Sequence, residues 1–341
     1  MIQMTLKILN NTYSLKEIYR MRMLLFKIFM SPRKIFNWLL VMFSQKFRLI
    51  NTLGTPVHCY IETASYCNLR CPMCLKVQKG YEFENRNMTM DQFKLIMDQI
   101  GKNAITLRLW NFGEPFINSE TIDMVNYASR FHVITVISTN GLLISPSLAD
   151  KIVNSKLDFL IVSFDGGTKE SYEYNRRNGN FEKFITCMEN LANSRGKNPS
   201  KGPFTALQFV TMNTNRGEWE TIRSMAEGWH FDKIMLRQLN VVTEKGEKLS
   251  YVEQDKLQVD KTNFCSNFWQ EIVFNSTGDV VPCCMDAGPE VIMGNIYEKK
   301  LHDIWNGEIY KKARQKVLKN LESIPICKYT CYKRNNKLVF D

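Results

Sequence analysis

The sequence predicts an α/β fold, a parallel sheet closed into a full or partial (β/α)6 TIM-like barrel, and two observations carry this reading. From residue 57 onward, six short apolar stretches alternate with stretches of helical periodicity. Polar or glycine-bearing motifs follow these stretches at the C-terminal ends of the strands, where parallel barrels place their functional groups.

Strands are expected over residues 57–62, 105–110, 133–138, 159–164, 204–212 and 233–236, with helices such as 90–100, 119–129, 181–191 and 218–228 between them. The first strand runs into Cys67-Asn68-Leu69-Arg70-Cys71-Pro72-Met73-Cys74. The second ends at Asn111-Phe112-Gly113-Glu114-Pro115, the third at Thr139-Asn140-Gly141 and the fourth at Asp165-Gly166. Residues 57–240 thus form the core. Residues 241–262 are polar and weakly patterned and read as a linker, and 263–341 form a smaller cysteine-bearing unit.

Residues 1–56 are a separate, basic extension. They carry nine Lys/Arg against the single acid Glu17, which is +8 of the chain's +11. Large apolar residues are interleaved with these charges, and Ser31-Pro32 is expected to divide the segment into two amphipathic helices. The apolar runs are shorter than the ~20 residues that cross a bilayer. Packing against the core, peripheral contact with the inner membrane surface and contact with an acidic partner are all compatible with such helices. The charge is confined to this segment, and no nucleic-acid partner is expected.

The hydrophobic content of 44% and the charged content of 23% are those of a globular protein. The ten cysteines cluster at metal-ligand spacings instead of scattering as a disulfide framework. With no cleavable signal peptide at the start, a reducing cytoplasm is the expected compartment.

Three thiols separated by three residues and then two can hold three irons of a [4Fe–4S] cluster and leave the fourth iron open to a substrate or cosubstrate. A zinc site, or a disulfide with a spare thiol, is the alternative for Cys67, Cys71 and Cys74. In the C-terminal unit, Cys265, Cys283, Cys327 and Cys331 form a second group, with Cys284 competing with Cys283. Four thiolates also suit structural zinc. Cys59 and Cys187 lie within strand and helix patterns and read as buried small hydrophobes. His58, His132, His230 and His302 are isolated.

With the cysteine loop at the end of the first strand, residues 57–240 resemble the radical S-adenosylmethionine (SAM) superfamily. The resemblance implies that Cys67, Cys71 and Cys74 ligate the SAM-binding [4Fe–4S] cluster, with Met73 near the adenine. Phe112-Gly113-Glu114-Pro115 is similar to the family's Gly-Gly-Glu-Pro motif, with Phe112 replacing its first glycine. The implied role of Gly113, Glu114 and Pro115 is to contact the methionyl amino group, a charge-assisted pairing for the carboxylate. Ser138, Thr139 and Asn140 fall where relatives contact the cosubstrate. Ser163-Phe164-Asp165-Gly166 resembles the motif near the ribose and carboxylate of SAM, and Arg176 an arginine near that carboxylate.

Gly278 four residues before Cys283, Trp269 upstream, and Gly294-Asn295-Ile296 and Ile304-Trp305-Asn306 downstream resemble the SPASM/twitch extension. That likeness implies a second, auxiliary [4Fe–4S] cluster. It also implies a C-terminal iron–sulfur domain shortened toward the twitch type. The implied activity is reductive cleavage of SAM, with a flavodoxin or ferredoxin as electron donor, to a 5′-deoxyadenosyl radical that abstracts hydrogen from a substrate carbon. The substrate is read first as a small carbohydrate-like or cell-envelope-related molecule, which the enzyme would oxidise or otherwise modify. The alternatives are a ribosomal peptide or protein, or a non-catalytic iron–sulfur electron carrier.

Overall fold

A computed structural model describes residues 5–8, 11–14, 27, 31–82, 85–198, 201–238, 264–288, 291–324 and 326–327. The core is an α/β sheet whose six parallel strands follow one another in sequence order: β3 (His58–Ile61), β4 (Thr106–Arg108), β5 (Ile134–Thr139), β6 (Phe159–Ser163), β7 (Phe204–Thr211) and β8 (Lys233–Gln238). This is the expected partial (β/α)6 barrel. On the outer edge of β3 the sheet continues into β9 (Glu271–Phe274), parallel to β3, and then into the antiparallel strands β10 (Asp279–Val281) and β11 (Gly294–Asn295). The C-terminal unit therefore extends the core sheet directly.

The helices alternate with the strands as the periodicity predicts. α3 (Met90–Ile100) opens with a capping box, in which Thr89 and Gln92 each bond the other's backbone N–H. It buries Phe93, Ile96, Met97 and Ile100 at helical spacing. α4 (Thr121–Ala128), α5 (Pro146–Asn154), α6 (Lys169–Asn175), α7 (Phe181–Lys197) and α8 (Trp219–Gly228) follow β4 to β7. α7 runs past the expected residue 191, because Ser194 and Arg195 still face inward; Arg195 pairs with Asp232 at 2.8 Å.

The start of the 1–56 extension differs from the helical reading. Thr5–Ile8 (β1) and Asn11–Ser14 (β2) pair as antiparallel strands ahead of the expected helices. Of the first expected helix, residues 15–26 and 28–30 lie outside the described residues, as does the 241–262 linker. The second is present as α1 (Pro32–Lys46), with proline in its first turn. Among the described residues, no helix is long and apolar enough to cross a membrane.

α1 lies across the N-terminal ends of the strands. Val41 packs with Val57, Ile105 and Ile134, and Asn37 is bound on both sides by the backbone of Thr55 (3.0 and 2.9 Å). The cysteine loop lies beyond the opposite, C-terminal ends.

Candidate functional site

Cys67, Cys71 and Cys74 are free thiols on the loop between β3 and the short helix α2 (Leu75–Gln78), for which Cys74 is the N-terminal cap. The loop is fixed by its own backbone and by a distant one: Cys74 N–H donates to Cys71 O (3.0 Å), and Arg70 N–H donates to Arg177 O (2.9 Å). Among the described residues, these three sulfurs are not gathered within 4.8 Å of one another. Burial pushes Cys67 up to about 12, opposed by the Leu69 N–H; Cys71 is also raised by burial and opposed by Arg176. Binding as thiolates therefore requires positive charge from a metal group.

Two polar networks meet this loop. In the first, Gly113 crosses the chain so closely that a Cβ there would stand 1.8 Å from Ala64 O, and Glu114 N–H donates to Tyr66 O (2.8 Å). The buried Glu114 carboxylate accepts from Thr139 Oγ1 (2.6 Å), Phe116 N–H (3.2 Å) and Asn140 N–H (2.8 Å). Three of roughly four acceptor sites on the carboxylate are thus filled. Burial raises its pKa against these bonds. Asn140 reaches Asn68 Oδ1 (2.8 Å) and lies 3.9 Å from Cys67 Sγ. Pro115 opens a short 3-10 turn.

In the second network, Arg176 pairs with the fully buried Asp165 at 2.5 Å and places Nη1 3.9 Å from Cys71 Sγ. Asp165 also accepts from Val210 N–H (3.0 Å). Ser138 lies within β5 and Ser163 ends β6, buried and in register with Gln208. The structure thus brings Cys67, Glu114 and Asn140 together, and separately Cys71, Asp165 and Arg176. The pairing of Asp165 with Arg176 was not anticipated from sequence. Nor was Glu62, a buried carboxylate whose pKa is raised by burial, opposed by Lys76 and by the backbone N–H groups of Ser276, Phe112 and Gly113. Its signal in the sequence is an acid ending an apolar strand just before the cysteine loop.

The second cysteine group lies on the other side of β3. Glu271, Cys283 and Cys284 bring their donor atoms within 4.8 Å of one another, because β10 runs antiparallel to β9 with Val281 opposite Val273. Cys283 and Cys284 are free thiols, and a hydrogen bond with the Cys284 thiol, together with burial, raises the Cys283 pKa well above the usual thiol value. Cys265 and Cys327 are buried in the same core but fall outside this trio, and Cys331 lies outside the described residues. Glu271 was missed by sequence reasoning. Gly278, at φ +89°, makes the β9–β10 turn, and a Cβ there would meet the Tyr297 ring at 2.3 Å. Trp269 and Trp305 donate to Leu49 O (2.8 Å) and Gly54 O (3.0 Å), tying this unit to the segment before β3.

Between the cysteine loop and the β9–β10 turn lies a cavity of about 330 Å³, lined by residues that include Glu62, Ser65, Lys76, Asn275, Ser276 and Asp279. The Ser276 hydroxyl is buried without a hydrogen-bond partner. Cys59 and Cys187 are buried as expected. His58 contacts Thr106 Oγ1 at 2.8 Å and His302 is exposed beside Asp303; no histidine belongs to the three-donor group.

A family model described as the radical SAM superfamily matches residues 61–227, and one for SPASM, described as an iron–sulfur cluster-binding domain, matches residues 265–332. Mycofactocin maturase MftC of Mycolicibacterium smegmatis is 30% identical over 142 residues, 42% of this chain and 36% of that protein. The match thus spans about a third of that relative. AdoMet-dependent heme synthase of Methanosarcina barkeri is 23% identical over 304 residues, covering 74% of this chain and 83% of that protein. The crystal structure of Streptococcus suis SuiB bound to precursor peptide SuiA superposes with a TM-score of 0.60 at 16% identity, over 79% of this chain and 69% of that one. At that identity the likeness shows the fold. The two family models follow one another over more than two thirds of the chain, which belongs to the radical SAM superfamily, carries a C-terminal SPASM domain, and uses a SAM-binding [4Fe–4S] cluster, an auxiliary iron–sulfur cluster and SAM.

Proposed function

We propose that this radical SAM enzyme reductively cleaves SAM and takes hydrogen from a carbon of a small carbohydrate-like or cell-envelope-related molecule. The observation that carries this reading is the three free thiols at the C-terminal end of the sheet, met by two buried polar networks. When bound, the first cluster supplies the electron that breaks the sulfur–carbon bond of SAM and so generates the radical.

In this reading Cys67, Cys71 and Cys74 hold that cluster. Glu114, with one acceptor site left, receives the SAM ammonium, and Gly113 and Pro115 shape the backbone that carries it. Ser138, Asn140, Ser163 and Asp165 line the cosubstrate's path. Arg176, ion-paired with Asp165, keeps its guanidinium beside Cys71. Cys265, Cys283, Cys327 and Cys331 hold the auxiliary cluster, where an electron leaving the substrate could be accepted. Residues 57–240 are assigned to the core, 263–341 to the auxiliary unit and 1–56 to the extension. A flavodoxin or ferredoxin in the cytoplasm supplies the electron.

The polar cavity beside the cysteine loop supports a small hydroxyl-bearing substrate, because its volume is that of a small-molecule site. The name heme synthase also denotes small-molecule chemistry. A second reading, a peptide maturase, is favoured by MftC's name and by the peptide bound to SuiB. Reduced, reconstituted enzyme incubated with SAM and site-deuterated candidates separates the two. Deuterium in 5′-deoxyadenosine from a sugar-type substrate supports the first reading. Deuterium transferred only from a peptide supports the second.

A further inference from the structure

α1 is an amphipathic helix turned inside out. Its inward stripe is Lys34, Asn37, Val41 and Ser44, mostly polar and spaced three or four residues apart. Each polar member is used: Lys34 Nζ donates to Ala104 O, Asn37 bonds the Thr55 backbone, and Ser44 Oγ accepts from Leu53 N–H (2.9 Å). The outward face carries Phe36 (64% exposed), Leu39 (52%) and Phe43 (48%), continued past the helix by Phe47 (56%). A surface helix ordinarily turns its apolar stripe to the core. Here hydrogen bonds hold the polar stripe inward, so the apolar stripe has no place in this fold's own core.

Charge indicates what meets that face. Arg33, which donates to Asn103 Oδ1 (2.9 Å), is exposed at the N-terminal end of α1, and Lys46 and Arg48, the latter over the Phe264 ring, at its C-terminal end; neither α1 nor Phe47 and Arg48 after it adds an acid. The whole segment 1–56 holds +8. Aromatic and aliphatic groups flanked by cations match the headgroup region of an anionic bilayer. At 15 residues, α1 is about 22 Å long and too short to span. We propose that this face lies on the surface of an anionic phospholipid bilayer. α1 covers the N-terminal ends of the strands, so docking there leaves the cysteine loop, at the opposite ends, open to reductant and substrate.

The test is cosedimentation of the full chain with phosphatidylcholine vesicles, with and without phosphatidylglycerol. The wild type is expected to sediment with the phosphatidylglycerol vesicles, less so as salt rises, and little with phosphatidylcholine alone. Phe36→Ser/Leu39→Ser/Phe43→Ser should bind roughly tenfold or more weakly, with unchanged circular dichroism and unchanged 5′-deoxyadenosine formation. Arg33→Glu/Lys46→Glu should lose the salt-sensitive part. Failure of the wild type to bind anionic vesicles, or equal binding by the triple-serine variant, would overturn the proposal. So would a dimer that the serine substitutions dissolve without any vesicle binding, since a second copy would then be what covers the face.

Discussion

The two cysteine groups flank the same strand, β3, yet are built differently. Cys67, Cys71 and Cys74 come from eight consecutive residues; Asn140, whose backbone N–H bonds the buried Glu114, reaches the Cys67 sulfur, and Arg176, paired with the buried Asp165, reaches that of Cys71. The second group is assembled from a strand start, a hairpin end and residues on either side of it, and its tightest cluster includes a carboxylate, Glu271. The first arrangement suits a cluster with one ligand position left for a cosubstrate, surrounded by groups that can hold that cosubstrate. The second brings no comparable network of cosubstrate-binding groups and suits a cluster that only exchanges electrons or is structural.

Removing a ligand from the first group should have the largest effect. Cys71→Ala should bring 5′-deoxyadenosine down to the protein-free level and lower bound iron by about four per chain, leaving auxiliary iron in place. Next is Cys283→Ser, which should remove the auxiliary iron, while Cys284→Ser keeps most of it. Iron and sulfide counting on both variants decides between the thiols, and loss in the Cys284 variant alone would reverse the assignment. Zinc in place of the second iron complement would instead match the compact Glu271–Cys283–Cys284 trio.

Smaller effects sharpen the contrast through stability. Arg176→Met strands the buried Asp165 charge and should cost about 3–5 kcal/mol in unfolding free energy. Asp165→Asn/Arg176→Met should recover part of it in a denaturant double-mutant cycle; no recovery would mean the pair is not coupled. Gly278→Ala puts a Cβ against Tyr297 at a left-handed φ and should cost about 2 kcal/mol, lowering Tm and the retention of auxiliary iron together. A lower Tm with auxiliary iron fully retained would separate the turn from the cluster.

The same contrast explains what the sequence makes legible. The triplet and the motifs at Gly113-Glu114-Pro115 and Asp165 are local patterns at strand ends, where the strand–helix period already places function. The Asp165–Arg176 pair spans α6, and Glu62 gathers N–H groups from two distant loops, so neither is visible as spacing. Glu271 sits in the apolar run Phe268-Trp269-Gln270-Glu271-Ile272 and becomes a candidate ligand only when β10 folds back beside β9. The periodicity of α1 was readable, but its orientation was not. Bonds that Lys34 and Asn37 donate to Ala104 O and Thr55 O, and that Ser44 Oγ accepts from Leu53 N–H, and not apolar burial, decide which face turns inward.

The central claim is that Cys67, Cys71 and Cys74 carry the cluster that cleaves SAM. Anaerobic quantification of 5′-deoxyadenosine from SAM by the reduced, reconstituted wild type and Cys71→Ala, with iron counted in the same samples, tests it most directly. The account predicts product from the wild type and none from Cys71→Ala, which should nonetheless retain the auxiliary iron. Equal product from both proteins, or none from the wild type with full iron and substrate present, would contradict it.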